Sequence, residues 1–274
     1  MTILVTGATG TVGGHIIEQL NNKGVKIKAL SRSIGKAKLP AKVQTVLGDL
    51  DKPEALQPHL QDVDSLFLIT QSDQSDAKFL TNQRIIQMAK EAKVQKIVVL
   101  MDFEGNPIEE VIKTSRMEWT ILRPIEFMKN VLYDWVESIQ KEGIMRTAFP
   151  DSLSARIHEA DIATVAVKAL TEEGHHKKTY ALTGPEALTP RSMLKQISEA
   201  IGKPIKLIEM TEREVKTEWK NKGYDEQFIN YFIIEMRKTP PKQTYTVLPT
   251  IEQVTGKPAR TFAQWVHENK HHFE

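Results

Sequence analysis

The 274-residue chain contains no cysteine, and its formal net charge is only +2. The missing thiols exclude disulfide bonds, thiolate metal ligands and cysteine nucleophiles. Apolar runs are short, and none approaches the roughly 20 residues that a membrane-spanning helix requires. The weak charge excess gives no reason to expect a nucleic-acid-binding surface or a polybasic membrane anchor. We therefore expect neither nucleic acid nor membrane as a partner.

The rest of the composition, 40% hydrophobic and 26% charged, is typical of a globular protein with a sizeable core. The amino terminus leads directly into a predicted strand and leaves no room for a signal peptide, so we expect a cytoplasmic protein. The histidine pairs at 175–176 and 271–272 lack the i, i+4 spacing of helical metal ligands, and no carboxylate cluster stands near them. We expect no metal site.

A glycine-spaced turn follows the first predicted strand, Ile3–Thr6. Gly7 allows a sharp turn, Gly10 allows a diphosphate to approach the backbone, and Gly13 allows the next helix to pack closely. The first N–H groups of that helix have no partner within the helix, which makes its start an anion site. The spacing predicts a dinucleotide site formed by Gly7, Thr9, Gly10, Thr11, Val12 and Gly13.

Strands and helices alternate through the first half of the chain, which predicts an α/β fold with a doubly wound parallel sheet. After residue 124 helices dominate, with a turn predicted around Gly143 and Pro150 and one helix over Glu226–Arg237. We expect a Rossmann domain formed by residues 1–126 and 153–184. A smaller, mostly helical carboxyl-terminal lobe is expected from residues 127–152 and 185–274.

The end of the second predicted strand bears on the choice of coenzyme. NAD-selective sites carry an acidic residue there, whereas this chain has Ser31, Arg32 and Ser33. Arg32 can pair with a 2′-phosphate, and the two serines can add hydroxyl contacts, which favours NADP(H) over NAD(H). The alternative is that Arg32 is simply a solvated residue. Asp49, followed by Leu50 after the third strand, either reaches the adenine amino group or only shapes a turn.

Several stretches together resemble the NmrA-like branch of the atypical short-chain dehydrogenases/reductases. The matching segments are residues 5–13, 29–32, 48–50, 119–130, 161–163 and 255–262. The resemblance implies a Rossmann domain, a small second lobe and a dinucleotide in the groove between them. It also implies that Ile69, Thr70 and Gln71 lie along the nicotinamide ribose and that Pro124 lies near the nicotinamide. Met101, which stands where the wider family has a serine, is counted with the coenzyme contacts.

The chain departs from the hydroxyl-oxidising members of that family. None of its five tyrosines has a lysine four residues later, so the Tyr-x-x-x-Lys pair is missing. Aligning residues 109–115 with the corresponding helix of that family leaves Gly105 where a lysine, tyrosine or histidine would stand. Alcohol dehydrogenation and sugar epimerisation are therefore not expected. Asp102 or Glu104 can donate a proton if burial raises its pKa, but the favoured interpretation is that both are solvated loop carboxylates.

The function these observations favour is NADPH-dependent reduction of quinone-like small molecules, because hydride transfer needs mainly orientation and a dry pocket. The alternative is a non-catalytic NADP(H) sensor that acts through regulatory protein partners. Several apolar side chains of the second lobe could line the substrate side, although such helix-spaced residues usually belong to a core: Phe127, Met128, Tyr231, Phe232 and Met236.

Overall fold

The computed structural model describes residues 1–33, 39–70, 76–101 and 105–274. Its contacts divide the chain into two compact units. Unit 1 comprises Met1–Pro124, Glu159–Leu182 and Gln253–Gly256. Unit 2 comprises Ile125–His158, Thr183–Glu252 and Lys257–Glu274.

Unit 1 is built on a parallel sheet that, within the described ranges, has seven strands. They are β1 (Thr2–Val5), β2 (Lys26–Ser31), β3 (Gln44–Leu47), β4 (Ser65–Ile69), β5 (Lys96–Leu100), β6 (Glu118–Pro124) and β8 (Lys178–Leu182). Their order across the sheet is β3-β2-β1-β4-β5-β6-β8, with every neighbouring pair parallel. The order reverses between β1 and β4, and ligands of such sheets bind at the carboxyl ends of the strands near that point. The predicted doubly wound Rossmann fold is confirmed.

Helices cover the sheet of unit 1 because its central strands are apolar on both faces. They are α1 (Thr11–Asn22), a 3-10 helix (Pro53–His59), α2 (Asp76–Glu91), α3 (Ile108–Thr114) and α5 (Glu159–Thr171). The helices α1 and α5 contact each other, and the Gln19 side-chain amide donates to the Ala160 carbonyl oxygen at 3.1 Å. Buried residues of α2 and α3, among them Ile86 and Ile112, join a core cluster with β4, β5 and β6.

Unit 2 is mostly helical, as predicted. Its helices are α4 (Asn130–Glu142), α6 (Pro190–Ile201), α7 (Glu212–Asn221), α8 (Glu226–Phe228), a π-helix (Ile229–Glu235), α9 (Met236–Lys238), α10 (Lys242–Tyr245), α12 (Phe262–Asn269) and a final 3-10 turn (Lys270–His272). The first residues of α11 (Thr250–Thr255) belong to unit 2 and its last residues to unit 1. One core cluster of this unit contains Trp135, Met128 and the stacked rings of Phe262 and Trp265. Met128 is therefore a core residue, which is the usual place of apolar residues with helical spacing.

One prediction for unit 2 was wrong in detail. The segment between Gly143 and Pro150 contains the strand β7 (Ile144–Thr147), which pairs in parallel with β9 (Lys206–Glu209). Each strand has only four residues, so its pattern was too short to distinguish from a turn. The predicted helix over Glu226–Arg237 is present, and its middle part, Ile229–Glu235, is a π-helix. Among the described residues, no helix combines the length and apolar character needed to cross a membrane.

Candidate functional site

The glycine turn begins where β1 ends and leads directly into α1. Gly7 has φ = +59°, a left-handed conformation that favours glycine because it has no Cβ. The turn closes through a hydrogen bond from the Gly10 amide to the Gly7 carbonyl oxygen at 2.8 Å. Gly10 is the N-cap of α1 and contributes no side-chain acceptor to the first turn of the helix. The start of α1 is thus left open for an external anion.

The three glycines of the turn are required for different reasons. A Cβ on Gly13 would lie 2.0 Å from the Gly7 carbonyl oxygen, so the close passage of α1 over the turn admits only glycine. A Cβ on Gly7 would lie 2.6 Å from the Ile69 Cδ1 atom. Gly10 is exposed, with φ = −83°, and a Cβ there would lie 3.1 Å from the nearest atom. The fold itself therefore constrains Gly10 least.

The start of α1 fits a diphosphate. Its first turn holds no acidic side chain, so no negative charge opposes the positive end of the helix dipole. Thr9 and Gly10 are exposed and Thr11 is half-buried, whereas the Val12 side chain is buried in the interior. Only the backbone of Val12 can therefore contact a ligand.

A buried threonine that the sequence analysis did not single out joins β1 to β4. The Thr6 amide donates to the Phe67 carbonyl oxygen at 3.0 Å, and the Thr6 Oγ1 atom accepts the Ile69 amide at 2.9 Å. One strand further, the Thr70 hydroxyl donates to the Leu100 carbonyl oxygen at 3.1 Å. These bonds hold Ile69 and Thr70 beside the glycine turn. The signal in the sequence is a single hydroxyl residue between an apolar strand and Gly7.

The ends of β2 and β3 lie side by side because the Gly48 amide donates to the Ser31 carbonyl oxygen at 3.0 Å. The Ser31 hydroxyl donates to the Ser33 carbonyl oxygen at 3.0 Å and lies 3.2 Å from the Ser33 amide. This hydroxyl therefore shapes the turn, and its contact with a coenzyme stays a prediction. Arg32 in the same turn is exposed and forms no ion pair with any described residue.

The segment after β3 agrees with the alternative interpretation of Asp49. Its Oδ1 atom accepts the Asp51 amide at 3.1 Å, a local turn that leaves the second carboxylate oxygen available. Leu50 is 9% exposed and belongs to the core cluster of unit 1, so a contact between its side chain and a coenzyme is not available in this conformation.

The ends of β5 and β6 carry the other predicted contacts. The Met101 side chain is 1% exposed and packs in the core of unit 1, so only its backbone is accessible, and its contact with a coenzyme stays a prediction. Its amide donates to the Leu122 carbonyl oxygen at 2.9 Å and ties β5 to β6. Pro124 ends β6 in register with Leu182 of β8. The predicted residues Gln71, Asp102 and Glu104 lie outside the described residues.

An ion pair occupies the helix that corresponds to the family's catalytic helix. Glu109 of α3 pairs with the Arg123 guanidinium at the end of β6 and accepts the Lys113 ammonium at 2.6 Å. The Arg123 and Glu109 side chains are only 16% and 14% exposed. The ion pair fixes α3 against β6. None of its three side chains is a tyrosine that could transfer a proton.

A groove of about 630 Å³ lies between α2 and α3, where Leu80, Arg84 and Val111 contribute to its walls. It runs along the outer faces of the helices and not along the carboxyl ends of the strands, so we do not assign a coenzyme to it. No group of three or more metal-ligating side chains occurs among the described residues.

A charged cluster in unit 2 begins two residues after Pro124. Glu126 Oε1 lies 2.8 Å from Arg156 Nη2 and 3.2 Å from Arg237 Nη2. Burial alone would raise the pKa of Glu126, but Arg156 and Arg237 outweigh it, so the pKa is lowered. Burial raises the pKa of the neighbouring Asp134 despite Arg237 and Arg156. Glu126 is consequently a structural anion and not a proton donor.

The chain was compared with known proteins. A family model described as NAD(P)H-binding matches residues 7–107. The NAD(P)H azoreductase of Xenophilus azovorans is 32% identical over 277 residues, which cover 96% of each chain. A (4-alkanoyl-5-oxo-2,5-dihydrofuran-3-yl)methyl phosphate reductase of Streptomyces griseus is 31% identical over 99% of each chain.

The chain belongs to the NmrA-like branch of the short-chain dehydrogenases/reductases. Among solved structures, this NmrA-like protein is similar to the quinone oxidoreductase QOR2 of Escherichia coli complexed with NADPH. The TM-score is 0.81 and the identity 25%, over 97% of this chain and 99% of the other. The predicted family and NAD(P)-binding Rossmann class are thereby confirmed, whereas the individual site residues stay predictions.

Proposed function

We propose that this NmrA-like protein is an NADPH-dependent reductase of quinone-like small molecules. The observation that carries the proposal is the uncapped start of α1 behind Gly7, Gly10 and Gly13. Full-length similarity to an NAD(P)H azoreductase and to a quinone oxidoreductase supports a reductive chemistry. We assign the coenzyme to the predicted Rossmann domain, residues 1–126 and 153–184, and the acceptor to residues 127–152 and 185–274.

The residues of unit 1 bind and orient the coenzyme. The backbone amides of Thr11, Val12 and Gly13 would hold the diphosphate, since the Gly10 amide already donates to the Gly7 carbonyl oxygen. Thr70, directly after β4, and Pro124, at the end of β6, would contact the nicotinamide half. When bound, a reduced nicotinamide supplies a hydride, and one proton completes the two-electron reduction of the acceptor. Because the chain has no Tyr-x-x-x-Lys pair, we assign that proton to solvent or to the carboxylic acid form of Asp102 or Glu104. A quinone tolerates this arrangement because its reduced anion is stabilised.

Arg32 selects NADPH over NADH in this proposal. Its turn is set by the Ser31 and Ser33 backbone contact, its guanidinium is exposed, and no carboxylate stands at residues 31–33 to accept ribose hydroxyls. A guanidinium binds a phosphate group through paired, charge-assisted hydrogen bonds. The non-catalytic sensor is not favoured, because both relatives above 30% identity described here are named as reductases.

Catalytic turnover tests the proposed activity. Purified protein with NADPH and a panel of quinones or azo dyes should oxidise many equivalents of NADPH under anaerobic conditions, followed by the loss of nicotinamide absorbance. Boiled protein and protein without acceptor are the controls. If the protein binds NADPH but no acceptor oxidises it, the proposed reductase activity is contradicted and the non-catalytic sensor is favoured.

The coenzyme preference is tested by Arg32→Ala. Loss of a charge-assisted phosphate contact of about 1.5–3 kcal/mol should weaken NADPH roughly 10- to 150-fold, while NADH changes less than about threefold. Arg213→Ala removes the same charge from an exposed position on α7 and should change neither affinity. Equal losses for both coenzymes in Arg32→Ala would show that this arginine does not recognise the 2′-phosphate.

A further inference from the structure

The face of β6 that packs on α3 changes from apolar to charged at its end. Trp119, Ile121 and Arg123 alternate along β6, so their side chains lie on one face of the sheet. Trp119 and Ile121 belong to the core cluster that also contains Ile108 and Ile112 of α3. Arg123 is the last of the three, and its partner on the same helix is acidic. The apolar contact between β6 and α3 thus ends in an ion pair.

The ion pair is largely protected from water. The Arg123 and Glu109 side chains are 16% and 14% exposed. One carboxylate oxygen of Glu109 accepts the Arg123 guanidinium, and the other lies 2.6 Å from the Lys113 ammonium. Partly buried charges are weakly screened, and a charge-assisted hydrogen bond between them is strong and directional. The pair can therefore hold the two elements in a defined geometry.

The position of Glu109 is fixed by the start of its own helix. Its amide donates to the Asn106 carbonyl oxygen at 2.9 Å, and the Asn106 side-chain oxygen accepts the Ile108 amide at 3.0 Å. Ile108 and Ile112 are buried, so α3 cannot rotate about its axis without exposing them. The Glu109 carboxylate is consequently a fixed point to which the end of β6 is tied.

Within the described residues, the last two residues of β6 pair with a strand on one side only. The pairing with β5 ends at Leu122, whereas the pairing with β8 continues to Pro124. Pro124 has no N–H group and cannot donate a hydrogen bond to a neighbouring strand. The bond from Arg123 to α3 therefore adds a tie that the sheet does not provide at this point.

We propose that Glu109 and Arg123 are positioning residues, which hold Pro124 where it would contact the nicotinamide half of the coenzyme. The inference rests on the proposed function and adds two residues of unit 1 that touch neither coenzyme nor acceptor. Hydride transfer depends steeply on geometry, and a displacement of about 1 Å can lower the rate about 100-fold. The diphosphate is assigned to the turn after β1, so loosening the end of β6 should impair hydride transfer more than affinity.

The test removes both charges together. In Glu109→Leu/Arg123→Met, apolar side chains replace a largely buried ion pair, an exchange that often preserves stability. The melting temperature should stay close to that of the unmodified protein, and the Kd for NADPH should change less than about threefold. The rate of NADPH oxidation in a single turnover with saturating acceptor should fall about 10- to 100-fold.

Two single variants distinguish positioning from stability. Glu109→Gln takes the anionic partner from Arg123, so it should lower both the melting temperature and the single-turnover rate. Arg123→Lys keeps a cation opposite Glu109 but loses the planar guanidinium, so it should retain more of the rate than the double variant. A rate in Arg123→Lys as low as in the double variant would contradict the role of the ion pair.

Glu118→Gln is the matched control, because it acts at the opposite end of the same strand. Glu118 begins β6 and lies 3.8 Å from the Lys96 ammonium. Its replacement breaks an ion pair of β6 and should leave the single-turnover rate unchanged. An unaltered rate in the double variant would overturn the inference. So would an equal loss of rate in the Glu118 control.

A measurement without an acceptor separates failure of this inference from failure of the proposed function. The fluorescence lifetime of NADPH lengthens when a protein immobilises its nicotinamide ring. At saturation, NADPH should show a longer lifetime on the unmodified protein than on the double variant. This difference supports the positioning role even if no acceptor is reduced, an outcome that contradicts only the reductase. Equal lifetimes, or no binding of NADPH by either protein, would overturn the inference whatever the turnover assay shows.

Discussion

Replacement of Gly13 by alanine is the sharpest test of the glycine turn. The added Cβ would lie 2.0 Å from the Gly7 carbonyl oxygen and 2.7 Å from its carbonyl carbon. Real Cβ contacts essentially never fall below 3.0 Å, so the two segments must separate by about 1 Å. Both partners are backbone, so no side-chain rotation relieves the overlap. The turn must open, or α1 must move away from it.

The expected loss of stability follows from the interactions that this movement breaks. Overpacking of a close contact costs about 1–3 kcal/mol, and loss of the bond from the Gly10 amide to the Gly7 carbonyl costs about 1 kcal/mol more. We therefore expect the free energy of unfolding to fall by about 2–4 kcal/mol. For a protein of this size the melting temperature should fall by roughly 5–15 °C. Because the diphosphate site is the same turn, NADPH affinity should be lost as well.

Gly14→Ala is the matched control, since the neighbouring position has no atom within 4 Å of an added Cβ. Alanine is the better helix former by about 0.5–1 kcal/mol, so this variant should melt slightly higher and bind NADPH normally. The assays are thermal unfolding and an NADPH titration on the same preparations. If Gly13→Ala kept the stability and affinity of the unmodified protein, the close passage of α1 over Gly7 would be refuted.

Three further perturbations separate folding from ligand contact. Gly10→Leu should abolish NADPH binding in a titration while the melting temperature stays within a few degrees, because the conformation of Gly10 is open to any residue. Thr6→Val should lower the free energy of unfolding in urea by about 1–3 kcal/mol, because the Ile69 amide loses its acceptor. Glu126→Gln should cost about 3 kcal/mol at pH 7, because two arginines lose their shared anion. The pKa of Glu126 is lowered in the folded state, so its stabilisation is complete above the ordinary value of 4.5 and is lost as the pH falls through the folded pKa.

Each of these three variants has a result that would contradict it, and two of them have a control variant. A stable Gly10→Leu protein that binds NADPH normally would place the diphosphate elsewhere. Thr6→Ser keeps the hydroxyl and should retain most of the stability, so an equal loss in both variants would argue against the hydrogen bond. Glu137→Gln breaks only an exposed pair with Lys141 and should have little effect. A stability difference for Glu126→Gln that does not shrink in acid would contradict its assigned charge.

Local patterns predicted the fold of unit 1 well. Its strands are parallel and buried on both faces, so each shows as a short apolar run, and the glycine turn follows the first of them. The strands β7 and β9 were missed because each has four residues and is stabilised only by pairing with a partner about 60 residues away. Nothing near Ile144 in the sequence distinguishes such a strand from a turn.

Features of the candidate site that depend on residue type and local spacing were predicted from the sequence. The direction of each side chain, which depends on packing, was predicted less well. Gly7, Gly10 and Gly13 were found because their spacing alone forms the turn. The burial of the Met101 side chain was not predicted, because its direction depends on the core behind β5. Ser31 was placed correctly at the strand end, but its hydroxyl is used within its own turn.

By itself, the sequence determined the class of protein: a chain without thiols or long apolar runs that begins with a dinucleotide-binding turn and lacks the Tyr-x-x-x-Lys pair. Only the tertiary structure decided how the three glycines divide their roles, that Thr6 joins β1 to β4, and that Arg156 and Arg237 share the Glu126 carboxylate. The reason is physical. Turn chemistry acts between neighbours along the chain, whereas steric fit, buried hydrogen bonds and ring stacking depend on residues that folding brings together from distant positions.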